Sequence, residues 1–245
     1  MPEIIVLPNP GAVARAAAER IVTLADEATA ARRRFSMALA GGGTPEATYS
    51  LLASDEFAAR VDWPRVHVFW GDERCVPPDD PESNFRMADA ALLSQVPIPV
   101  GNVHRMRGEL EPQAAAEDYA TELCAFFGAS WPRFDLILLG MGDDGHTASL
   151  FPGSAALRET GRPVVSVTAH YQDRPACRVT LTPRAINEAH EVLFLVTGVA
   201  KAETLRAVLE GPKGPYPAQQ IHPTSGQLTW LVDAAAASQL ARTPR

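Results

Sequence analysis

FDLILLGMGDDGHTASLFPGS, residues 134–154, is the stretch whose reading decides the fold. Phe134 and the run Leu136 to Leu139 show no polar alternation, as expected of a strand buried on both faces of a parallel sheet. That strand runs into Gly140, Gly142 and Gly145, the acids Asp143 and Asp144, and His146. In open α/β sheets ligands bind at the carboxyl edge of the strands, so a histidine held there between glycines is a candidate general base. The three glycines also spell G-x-G-x-x-G. Two acids facing a pyrophosphate and an early stop at Pro152-Gly153 argue against a dinucleotide site. So does the lack of an acid about 20 residues further on to take a ribose hydroxyl.

Outward from this stretch, strand and helix patterns alternate. Short strands are predicted at Glu3 to Leu7, Phe35 to Ala40, Val66 to Trp70 and Glu191 to Thr197, with a last one from Gln227 to Val232. Between them, Val13, Ala17, Ile21, Leu24 and Ala28 recur at helical spacing. Further helices are predicted over Pro45 to Ala53, Ser83 to Leu93, Glu111 to Phe127, Lys201 to Leu209 and Asp233 to Leu240. Extended pieces are expected near Val103, at Pro163 to Thr168 and at Arg178 to Leu181. Alternation of this kind predicts a multilayer α/β fold with a mainly parallel, Rossmann-like sheet. No repeat or linker divides the chain; GPKGPYP, residues 211–217, reads as an exposed loop too near the end to separate two domains. Residues 1–245 are therefore expected to form one domain.

Composition narrows the partners. The chain has 46% hydrophobic and 21% charged residues with a formal charge of −7, which favours neither nucleic acid nor an anionic membrane. No secretory pattern opens it, and no apolar run reaches the ~18 residues of a membrane span. Cys75, Cys124 and Cys177 form neither a C-x-x-C pair nor a disulfide framework, and the six histidines are dispersed. A cytoplasmic protein that needs no metal is expected, acting as a monomer or small homo-oligomer.

Three more junctions carry chemistry. Gly41, Gly42 and Gly43 lead into Thr44 and Pro45, with Thr44 suited to cap a helix and Pro45 to its first position. Free N–H groups and the helix dipole there favour an anion. After VHVFW come Asp72, Glu73 and Arg74; Arg74 can bind phosphate, with Asp72 or Glu73 orienting it or meeting sugar hydroxyls. Downstream, Asn84 suits either a cap or a hydroxyl ligand. Lys201 falls in the first turn of its helix, where the dipole disfavours a cation unless an anion is bound. Arg178 is a weaker second cation. A glycine cradle, Arg74, Lys201 and His146 thus converge on one sheet edge, suited to a phosphorylated sugar whose reaction needs one proton transfer.

LAGGGTP (39–45), VHVFWGDERCVPPDDPESNFRMA (66–88), residues 134–154, RVTLTPRAIN (178–187) and VLFLVTGVAKAETL (192–205) together resemble the 6-phosphogluconolactonase family. That family lies within the wider superfamily of glucosamine-6-phosphate deaminase. The deaminases carry a D-E-Y-type segment where this chain has GDER, and HTASLFPG resembles the lactonases. GGGTP departs from the more usual GGSTP-like form without loss of backbone donors. The resemblance implies hydrolysis of 6-phospho-D-glucono-1,5-lactone to 6-phosphogluconate, in the oxidative pentose phosphate pathway, without a cofactor. His146 is then the base that activates water, and Asp144 orients it. Gly42, Gly43, Thr44, Asp72, Arg74, Arg178 and Lys201 are the expected substrate and phosphate ligands. Amides near Gly43, or Arg74, are alternative oxyanion donors. Two rivals are a phosphosugar deaminase or isomerase on the same scaffold, and a non-catalytic sugar-phosphate sensor.

Overall fold

Strand-forming runs of Val, Ile, Leu and Phe build the centre of the molecule, seen in a computed structural model that describes residues 2–129, 131–169 and 175–241. The strands are β1 (Glu3–Leu7), β2 (Phe35–Leu39), β3 (Val66–Trp70), β4 (Asp72–Arg74), β5 (Leu136–Leu139), β6 (Val164–Thr168), β7 (Cys177–Leu181), β8 (Glu191–Val196) and β9 (Gln227–Asp233). The helices are α1 (Pro10–Arg32), α2 (Gly43–Leu52), α3 (Asp55–Ala58), α4 (Asn84–Ala91), α5 (Pro112–Phe127), α6 (Pro183–Asn187) and α7 (Ala202–Glu210).

Six strands form one parallel sheet in the order β1-β9-β8-β5-β2-β3, as the alternating pattern predicts. Its central strands β2, β5 and β8 are buried at every position, which is why their sequences are continuous rather than alternating. Phe194 and Trp230 stack across β8 and β9 at 3.8 Å between ring centres. Large buried side chains of this kind each contribute about 1.5–3 kcal/mol of hydrophobic stabilisation. α1 presents Val13, Ala17, Ile21 and Ala28 to this core; Leu24 is half-buried. Asn9 accepts from the Ala12 amide at the start of α1, and Pro10 occupies the first turn.

The structure departs from the sequence reading in several elements. The extended pieces at 163–168 and 178–181 do not join the parallel sheet. With β4 they form a separate antiparallel sheet, in the order β4-β7-β6. GDER is therefore not a plain loop: Gly71 turns the chain from β3 straight into β4. The helix expected over 233–240 is only a 3₁₀ turn at Ala236–Gln239. Asp233 completes β9 instead, its carboxylate accepting from the amides of Gly198 and Ala236. The helix expected from Ser83 begins at Asn84 and ends at Ala91, with Ser83 as its cap.

Candidate active site

The carboxyl ends of β2, β3, β5 and β8 open into a cleft of about 290 Å³. Gly42, Gly43, Thr44, Asp72, Arg74, His146, Arg178 and Lys201 all line it, so the four sequence junctions do meet. Asp144 does not line the cleft; it stands behind His146.

The glycine loop is set by its neighbours. Gly42 takes φ 105°, a conformation that disfavours any side chain, and no side chain caps α2. The first amides of α2 have no acceptor within their own helix and point to the cleft. Thr44 lies inside the first turn rather than capping it, and Pro45 is in the third helical position. Thr44 Oγ1 is instead 2.8 Å from Thr197 Oγ1, tying α2 to the end of β8. Gly41 leaves room for another residue: a Cβ there would lie 2.1 Å from Asn84 Oδ1. Two buried tyrosines hold the strand ends. Tyr49 Oη accepts from the Ala40 amide and donates to its carbonyl, both at 2.9 Å, and Tyr119 Oη does the same at Trp70 at 2.9 and 3.2 Å. Burial pushes both phenols far above their ordinary range.

The two acids after β3 have separate tasks. Glu73 is buried and does not line the cleft. Its carboxylate accepts from the amides of Arg74, Asn84 and Phe85 and from Ser83 Oγ, fastening the start of α4 to β4. Burial nevertheless raises its pKa above the usual carboxylate range, the four donors only partly opposing this. Asp72 accepts from Ser149 Oγ at 2.7 Å, and its carbonyl accepts from Asn84 Nδ2 at 2.9 Å. Arg74 Nη1 donates to the Glu82 carbonyl at 2.8 Å and to Asn84 Oδ1, while its buried Nε has no hydrogen-bond partner among the described residues. Ser83, not Asn84, is therefore the cap; Asn84 lines the cleft and holds Arg74 in place. Its partner Gly41 is 43 positions away, so local spacing gives no signal of the pairing.

His146 follows a tight turn closed by bonds from Gly145 N–H to the Gly142 carbonyl and from Gly142 N–H to the His146 carbonyl. Gly145 needs its φ of 74°, and Gly142 gives space to the imidazole, since a Cβ would lie 2.1 Å from Nδ1. Asp144 Oδ1 is 2.6 Å from His146 Nδ1 and also accepts the His146 amide at 3.1 Å. A carboxylate only accepts, so the neutral ring carries its proton on Nδ1 and its basic lone pair on Nε2. Phe151 packs against the ring at 4.6 Å.

Lys201 sits at the amino end of α7, where its charge conflicts with the dipole. Asp143 resolves part of that conflict, its Oδ1 lying 2.6 Å from Lys201 Nζ. Arg178 is buried in the antiparallel sheet, directly opposite Arg74. No group of metal-ligating side chains is found among the described residues.

A family model described as glucosamine-6-phosphate isomerases/6-phosphogluconolactonase matches residues 8–230. A 6-phosphogluconolactonase of Synechocystis sp. is 41% identical over 98% of this chain and 98% of its own. One from Nostoc sp. is 40% identical over 96% and 97%. Among solved structures, 6-phosphogluconolactonase from Trypanosoma brucei superposes with a TM-score of 0.88 at 32% identity, covering 98% of this chain and 99% of that one.

Proposed function

The chain belongs to the glucosamine-6-phosphate isomerase/6-phosphogluconolactonase family, and from that premise we propose that it hydrolyses 6-phospho-D-glucono-1,5-lactone to 6-phospho-D-gluconate. The observation that carries this reading is the Asp144–His146 pair at 2.6 Å, set in a cleft whose other walls are a helix amino terminus and three cations.

The substrate phosphate is held by the amides of Gly42, Gly43 and Thr44 and by Arg74, Arg178 and Lys201. Asp143 keeps Lys201 extended over the cleft until the phosphate competes for it. Asp72, braced by Ser149, faces the sugar hydroxyls. His146 Nε2 takes a proton from water as its oxygen bonds to the lactone carbonyl carbon. When the tetrahedral intermediate collapses, the bond to the ring oxygen breaks and His146 returns the proton to that oxygen. Asp144 stabilises the imidazolium between the two transfers, and no cofactor is required. The three thiols at Cys75, Cys124 and Cys177 support a reducing, cytoplasmic setting, and the core common to both sheets supports one working domain.

Purified protein should open the lactone well above its spontaneous rate and release no ammonia from glucosamine 6-phosphate. Ammonia release without lactone opening would overturn the reading in favour of the deaminases.

A further inference from the structure

Cys75 and Cys177 face each other across the seam between β4 and β7. The register Arg74↔Arg178 continues by one step to this pair, and the Cys75 amide donates to the Cys177 carbonyl at 2.9 Å. Directly opposed residues of an antiparallel ladder project to the same face. In a hydrogen-bonded pair their Cα atoms lie about 5.5 Å apart, inside the ~4.4–6.8 Å that a disulfide spans. Side chains alternate along a strand, so the two thiols lie on the reverse of the face from which Arg74 and Arg178 reach the cleft. Thr168, its Oγ1 3.9 Å from Cys177 Sγ, shares the thiol face. Both cysteines are half-buried, whereas Cys124 is exposed on α5.

We propose that Cys75 and Cys177 are a redox modification site, in which a reversible disulfide across β4 and β7 weakens ligand binding by Arg74 and Arg178. The oxidant is a low-molecular-weight disulfide such as oxidised glutathione. One cysteine thiolate attacks it, forming a mixed disulfide and expelling one glutathione thiolate. The second cysteine then displaces the other glutathione. One protein S–S bond forms, one S–S bond of the oxidant breaks, and the two thiol protons leave with the two reduced glutathiones. Burial, reinforced by Cys177, pushes the Cys75 thiol up to about 11, which makes Cys75 a poor first nucleophile.

Closure is felt on the other face for a geometric reason. Opposed Cβ atoms in a ladder stand about 4.5–5.5 Å apart, and a disulfide draws them to ~3.5–4.5 Å. The strand spacing already suits the bond, but the two Cβ atoms must approach by roughly an ångström, which twists the backbone beside both arginines. Arg74 is pinned at its far end by Asn84 and the Glu82 carbonyl, so a shift of its backbone misaligns the guanidinium. Strain of this sort also makes a disulfide easy to reduce, as a switchable site requires.

The test uses Cys124→Ser, to silence the exposed thiol, and Cys75→Ser/Cys124→Ser. Each is incubated with oxidised glutathione, digested without reduction and titrated with 6-phosphogluconate. In Cys124→Ser, we expect a cross-linked peptide joining residues 75 and 177. Affinity for 6-phosphogluconate should fall on the order of tenfold and return with dithiothreitol. The double variant should form no cross-link and keep its affinity. No cross-link, or stable glutathione on both cysteines, overturns the site. A cross-link without loss of affinity, or equal loss in the double variant, overturns its coupling to the arginines. The cross-link is read without substrate, so its outcome is independent of the lactonase reading on which the affinity measurement rests.

Discussion

At His146, the proposed base, glutamine keeps a hydrogen-bonding side chain but cannot accept the proton. His146→Gln is expected to lower kcat by about 10²- to 10⁴-fold while 6-phosphogluconate binding persists, because the cations remain. Stopped assays corrected for spontaneous lactone opening measure this; near-normal turnover would move the base elsewhere, with Asp72 the first candidate. Lys201→Ala should act differently. It removes one charge-assisted contact worth about 1.5–3 kcal/mol and strips Asp143 of its partner, so KM should rise about tenfold to a hundredfold with kcat little changed. At this scale the sequence was legible wherever a residue's chemistry conflicts with its position, as Lys201 does at a helix amino terminus. It was not legible where two remote residues share one space. Gly41 with Asn84, Asp72 with Ser149 and Thr44 with Thr197 are such pairs, and Glu73 stayed open between orienting Arg74 and meeting sugar hydroxyls because its bonds form only when α4 folds over it.

The turn between β5 and His146 shows how an element fixes the orientation of the proposed base. Gly142→Ala places a Cβ about 2 Å from the imidazole, so the ring must leave its bond to Asp144. Activity should fall at least about 10²-fold, while a circular dichroism melt shows a folded protein. Wild-type kinetics in this variant would mean that the turn can relax without moving the ring. Buried parallel strands and the capped helices α1 and α5 were readable because local pattern and tertiary role agree in them. β4 was not, being three residues whose only reason to be extended is the ladder with β7. The last helix failed for a related cause. Its helix-forming alanines are overruled by Asp233, which anchors the chain to Gly198 and Ala236.

Across the whole molecule, acid stability should depend on a site remote from the cleft. His67 on β3 lies 3.1 Å from His104, which is bonded to Glu122 and stacked on Phe69. Burial, then the neighbouring His104 and Arg34, push His67 from 6.5 down to about 4. The unfolded chain therefore binds this proton more readily than the folded one. Stability from His67 is fully present above pH 6.5 and is lost as pH falls towards 4. His67→Gln should show a flatter decline of Tm over that interval, and parallel wild-type and variant curves would contradict the assignment. The topology carries a different consequence, for biosynthesis. β1 (Glu3–Leu7) is made long before β9 (Gln227–Asp233), its one partner in the sheet among the described residues. At translation rates of about 5–20 residues per second, β1 waits on the order of ten seconds or more with Ile4, Ile5 and Val6 unpaired. That edge of the sheet can close only after β9 has been made, and until then β1 is a segment for chaperones to shield.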